Sequence, residues 1–181
     1  GMRAHPTGCP FVLVNETSVG MMITATAQNT TDNLNLVPIP DSASHLHRAI
    51  LARQARLGIV GLGYVGLPLA VVFAETGYDV VGLEVDAARV DAVNAGTYHV
   101  ADVSSAMVKP LVECGRLRAT TDMRQLADVD VVIICVPTPL SRTKDPDITH
   151  VVDASSHIAR SLRRGQLIIL ESTTYPGTTR E

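Results

Sequence analysis

LGIVGLGYVGLPLAVVFAET, residues 57–76, reads as a short apolar strand, a glycine turn and a helix. Gly61, Gly63 and Gly66 make G-x-G-x-x-G directly after Leu57 to Val60 and before a helical pattern, the context that gives this spacing meaning. Gly61 permits a tight turn, Gly63 lets a pyrophosphate approach the backbone, and Gly66 lets the helix pack closely. The N-terminal N–H groups of that helix point into the loop, where an anion belongs. Val65, Leu69, Val72 and Phe73 recur at helical spacing, which predicts that this face is buried. Pro68 lies near the first turn, where few intrahelical donors are lost. The stretch carries no charge from Leu57 to Ala74, so a membrane span competes, although Gly58, the three motif glycines and Pro68 interrupt it. A glycine turn that merely joins strand to helix is the other plain reading.

The next feature decides between them. Gly77 suits a helix C-cap, Tyr78 to Leu83 reads as a second apolar strand, and Glu84 ends it about 20 residues past the glycines. An acid there accepts hydrogen bonds from the adenosine ribose and repels a 2′-phosphate, which points to NAD rather than NADP as cofactor. Asp86 competes for the same role, and an exposed loop carboxylate is the plain alternative.

Bulk properties narrow the class. The 181 residues are 46% hydrophobic and 18% charged, a globular balance, and aromatics are only 3%, so Val, Leu, Ile and Ala must build the core. The net charge of −3 gives no footprint for nucleic acid or an anionic membrane. Cys9, Cys114 and Cys135 form no C-x-x-C pair and the histidines no ligand spacing, so no metal site is expected and cytoplasm is the default location.

Residues 1–43 lack a sustained period and read as an extension or linker without a secretory signal; Met21 or Met22 is a candidate start. Ser44 to Arg56 predicts a basic amphipathic helix with Leu46, Ile50 and Leu51 turned to the sheet or a partner. Helices are expected over Asp86 to Asn94, Asp102 to Glu113 (burying Val103, Met107, Val108, Leu111 and Val112) and Asp122 to Ala127, with a strand over Arg116 to Thr120. VDVVIICV, residues 129–136, looks like a central parallel strand, with Cys135 a small core residue. Pro137-Thr138-Pro139 then puts Thr138 at a strand's carboxyl end, where open α/β sheets bind ligands. A turn hydroxyl serving only the backbone is the equal alternative for Thr138. A helix from Ile148 to Leu162 would use Val151, Val152, Ile158 and Leu162, and Gln166 to Leu170 gives the last strand, with Ser172 and Thr173 at its end. Alternating strands and helices predict an α/β fold, a doubly wound parallel sheet of five strands in the order 3-2-1-4-5, with the sixth missing.

Four segments, GIVGLGYVGLPLA (58–70), VECGRLRATTD (112–122), VVIICVPTPL (131–140) and LESTTYPGTTRE (170–181), closely resemble the NAD-binding Rossmann domain of the UDP-glucose/GDP-mannose dehydrogenase family. The wording is most similar to the branch acting on UDP-N-acetylated hexosamines. The resemblance implies that residues 44–181 are most of the first of three parts, without the central helix and sugar-nucleotide domain. It implies oxidation of the C6 alcohol of a UDP-sugar to the acid with two NAD, in a homo-oligomer. Gly61, Gly63, Tyr64, Val65 and Gly66 then cradle the pyrophosphate, Glu84 holds the ribose in place of the family's usual Asp, and Arg89 lies against the adenosine. Pro137, Ser172 and Thr173 line the nicotinamide side, and Thr138 helps position catalytic water. The family's catalytic cysteine falls beyond Glu181, so the chain alone is expected to bind cofactor without catalysis. A free-standing NAD-sensing module is the rival expectation.

Overall fold

The computed structural model describes residues 41–98, 100, 103–139 and 147–174. Five parallel strands form one sheet in the order β3-β2-β1-β4-β5, as expected: β1 Arg56–Val60, β2 Asp79–Leu83, β3 Leu117–Thr120, β4 Val131–Ile134 and β5 Leu167–Leu170. The helices are α1 Asp41–Leu51, α2 Gly66–Glu75, α3 Ala87–Asn94, α4 Ser105–Glu113 and α5 Thr149–Ser161, and Met123–Asp128 is a 3-10 helix.

Side chains alternate across the sheet and split the core in two. Leu57, Ile59, Val80, Val131 and Ile133 point to the face covered by α1, α2, α3 and α4. Val60, Val81, Leu83, Val132 and Ile134 point to the face covered by the 3-10 helix and α5. All four residues of β4 are buried, as a parallel strand covered on both faces requires. At the far end of the sheet from the glycine turn, Arg163 donates to the Ala127 and Val129 carbonyls (3.0 and 2.8 Å) and pairs with Asp130 at 2.6 Å. Gln166 donates to Leu126 and Val129 carbonyls (2.7 and 2.8 Å), so one polar cluster staples α5 and β5 to the strand beside them.

Several expectations change in detail. The first helix stops at Leu51, Arg53 turns through a φ of 55°, and Arg56 already belongs to β1. Leu46 and Ile50 pack on the core as expected, whereas Leu51 is 72% exposed. In α2 the buried residues are Gly66, Leu67, Ala70, Val71 and Ala74, while Val65 and Val72 are exposed and Leu69 and Phe73 only partly covered. This helix is apolar almost all round, so its pattern does not choose a face; the small residues at 66, 70 and 74 do, because they let it approach the sheet. The fourth helix begins at Ser105, leaving Val103 in an isolated bridge with Val100 and Met107 exposed. In α5, Val151, Ala154 and Ile158 are buried, and Val152 and Leu162 are not.

The choice of face in α2 is directly testable. Val71→Ala should cost about 2 kcal/mol in urea unfolding, the loss of a fully buried side chain, while Val72→Ala stays within about 0.5 kcal/mol of the parent.

Candidate active site

The strand order reverses between β1 and β4, and a cavity of about 640 Å³ opens there at the carboxyl ends of the strands, within the size range of ligand sites. Its floor is the glycine turn. Gly61 has a φ of +93°, and a Cβ on it would lie 2.8 Å from the Cys135 carbonyl oxygen. A Cβ on Gly66 would collide with the Gly61 carbonyl, so the close approach it permits is to the loop itself and to Cys135. A Cβ on Gly63 would meet nothing within 4 Å and would project into the cavity that Gly63 lines. No sequence motif marks how the turn is held: Leu62 is fully buried over Gly82, where any side chain would strike it. The N–H groups of Gly63, Tyr64 and Val65 meet no acceptor among the described residues. Three unpartnered donors beside a helix start fit a bound diphosphate.

One end of the cavity holds Glu84, Asp86 and Arg89. Glu84, 5% exposed, accepts from the Leu62 N–H (3.0 Å), the Val85 N–H (2.9 Å), the Asp86 N–H (3.3 Å) and the Arg89 guanidinium (2.9 Å). Burial pulls the Arg89 guanidinium down, but the hydrogen bond and charge of Glu84, with Tyr98 and Asp86, leave it above its ordinary value. Its guanidinium carbon lies 5.7 Å from the centre of the Tyr98 ring, a cation–π distance.

At the other end, Pro137, Thr138, Ser172 and Thr173 line the cavity together. Thr138 is half-buried and its hydroxyl meets no partner among the described residues, whereas the Ser172 hydroxyl donates to the Val136 carbonyl at 2.8 Å. Every sequence-predicted site residue except Gly66 therefore lines this one cavity, and Gly66 lies beneath it. The sequence reading missed the opposite wall, where α5 contributes His150, Asp153 and His157 and the 3-10 helix contributes Met123 and Leu126. Burial, then the charge of Glu171, pushes the Cys135 thiol up to about 11, so it is a core residue and not a thiolate nucleophile. Among the described residues no cluster of His, Cys, Asp or Glu could hold a metal, and no helix is long and apolar enough to cross a membrane.

A parallel sheet with a glycine cradle at its switch point and an acid at the end of the neighbouring strand defines a dinucleotide-binding domain of the Rossmann class. Residues 55–181 match the UDP-glucose/GDP-mannose dehydrogenase family, NAD binding domain, and the chain belongs to that family. It is 40% identical over 125 residues to the UDP-N-acetyl-D-mannosamine dehydrogenase of Pyrococcus horikoshii, covering 68% of this chain and 30% of that protein. It is 39% identical over 129 residues to the UDP-N-acetyl-D-glucosamine 6-dehydrogenase of Pseudomonas aeruginosa, covering 71% and 30%. The fold superposes on a ternary complex of GDP-mannose dehydrogenase from Pseudomonas aeruginosa with a TM-score of 0.66 at 31% identity, covering 70% of this chain and 30% of that one. The chain thus spans about 30% of the length of the curated relatives it matches.

Two glycine variants separate cradle from scaffold. Gly66→Ala should lose at least about 3 kcal/mol of stability by overpacking, while Gly63→Ala keeps the parental melting temperature and loses diphosphate affinity in calorimetry. The Cys135 thiol supplies a pH test. Because its folded value lies above the unfolded one, stability falls as pH rises from about 8.5 through about 11 in urea titrations, and Cys135→Ala removes that part of the fall.

Proposed function

We propose that this chain is the cofactor-binding part of a nucleotide-sugar 6-dehydrogenase that oxidises the C6 alcohol of a UDP-hexose or UDP-N-acetylhexosamine to the uronic acid with two NAD. The observation that carries the reading is the row of N–H groups at Gly63, Tyr64 and Val65, without acceptors among the described residues, between an acidic end and a hydroxyl end of one cavity. NAD, when bound, is the hydride acceptor for both oxidations. The chain's own residues bind and orient it. Gly61, Gly63, Tyr64, Val65 and Gly66 shape the diphosphate site, Glu84 and Arg89 form the adenosine end, and Pro137, Thr138, Ser172 and Thr173 border the nicotinamide end. The Thr138 hydroxyl, without a partner among the described residues, is the group suited to orient a water toward the reacting carbon. The names of the 40% identical relatives, dehydrogenases of UDP-N-acetylated hexosamines, support that substrate class.

A two-step oxidation from alcohol to acid needs a nucleophile to hold the acyl group before water releases it. Cys135, the cavity's cysteine, is protonated and buried, which supports cofactor binding without sugar oxidation by this 181-residue polypeptide. Leu167 and Ile168 on the edge strand β5 are 40% and 37% exposed, and this apolar edge supports self-association, as in a homo-oligomer. A cytoplasmic location goes with the same reading.

Titration with NADH should raise and blue-shift the dihydronicotinamide fluorescence, and the same protein should produce no NADH from UDP-N-acetylglucosamine or UDP-N-acetylmannosamine. No binding at millimolar NADH by a folded protein overturns the cofactor reading, and sugar-dependent NADH production overturns its restriction to binding.

A further inference from the structure

Two carboxylates stand at the end of β2, and the structure gives them different duties. A carboxylate has about four acceptor positions. Those of Glu84 are matched by four donors: Leu62 N–H and Arg89 Nη1 on Oε2, Val85 N–H and Asp86 N–H on Oε1. Three of the four donors are main chain, so a ribose hydroxyl could reach Glu84 only by displacing Arg89 or shifting the loop. Asp86 is exposed and lines the same cavity. Its Oδ1 caps α3, accepting from the N–H groups of Ala88 (3.0 Å) and Arg89 (3.4 Å), and its Oδ2 meets no hydrogen-bond donor among the described residues.

We propose that Asp86, through Oδ2, is the acceptor for the 2′-hydroxyl of the adenosine ribose, and that Glu84 is a positioning residue that holds the Leu62 N–H and with it the phosphate cradle. The inference rests on the cofactor reading above. The long Glu84 side chain folds back under the loop and takes up its donors, and the free acidic oxygen stands two residues further on. Asp86 is also the charge that a 2′-phosphate would face, because that of Glu84 is paired with Arg89 at 2.9 Å.

The test compares ADP with 2′-deoxy-ADP, which share adenine, diphosphate and the ribose 3′-hydroxyl and differ only in the 2′-hydroxyl, by calorimetry on the full 181-residue chain. The parent should favour ADP about tenfold, the preference that one charge-assisted hydrogen bond of about 1.4 kcal/mol gives. Asp86→Ser keeps a capping hydroxyl for α3 and should bring the ratio to about one, by weakening ADP and leaving 2′-deoxy-ADP unchanged. Glu84→Gln should weaken both ligands alike and keep the ratio, since it disturbs the cradle and not the ribose contact. A ratio that survives in Asp86→Ser, that collapses in Glu84→Gln, or that is already one in the parent overturns the proposal. If Glu84→Gln does not fold, the Asp86→Ser ratio decides alone. A folded parent that binds neither ADP nor NADH overturns the cofactor reading itself, a separate outcome.

Discussion

The contact between Gly66 and the Gly61 carbonyl is the constraint on which this molecule turns. No side chain fits between them, so the start of α2 rests on the loop that leads into it. That contact fixes the height of the helix over β1 and drives Leu62 into the space left by Gly82, where it is fully buried. Burial of one leucine thereby turns the following N–H groups toward the cavity. Donors left unpaired inside a protein cost about 1–3 kcal/mol each, whereas at the mouth of an open cavity water satisfies them until an anion arrives. Apolar packing and anion recognition are here two results of one tight turn.

The two halves of the sheet meet at this point with different chemistry. From the end of β2 and the start of α3 come a buried acid, its arginine and a second, open carboxylate; from the ends of β4 and β5 come Pro137 and hydroxyls. The hydrogen bonds that join them are main-chain ones, Gly61 N–H to the Leu83 carbonyl and Cys135 N–H to the Val60 carbonyl, both at 2.8 Å. Neither half carries the whole cavity. Its polar groups hold their spacing because two parallel ladders hold the strands in register.

Much of this was legible in the sequence wherever backbone geometry dictates residue type. The glycines, the apolar run of β4 and the acid after β2 each answer a requirement that few residues meet, and so the strand order and most cavity residues followed. Helix faces were less legible. In α2 valines and leucines surround the axis, and the buried side was chosen by the smallness of Gly66, Ala70 and Ala74, a property that hydrophobic periodicity does not weigh. The wall of His150, Asp153 and His157 lies at i, i+3 and i+7 of α5, which in a sequence reads as an ordinary solvated stripe. The division between Glu84 and Asp86 was left open for a similar reason, since hydrogen-bond saturation exists only once the loop has closed on the strand.

The pairing of β1 with β4 also carries a kinetic meaning. Arg56 and Asp130, bonded at 2.9 Å at the base of these strands, are 74 positions apart, while β1 to β2 and β2 to β3 are joined by shorter crossovers. Closing the long loop costs chain entropy before any contact repays it. The β1-β2-β3 half is therefore the cheaper one to assemble first, and the seam along which the cavity opens is the last to be sewn. A chain caught before that step presents the apolar inner edges of β1 and β4 to its neighbours, which makes the switch point of the sheet its point of greatest exposure to aggregation during folding.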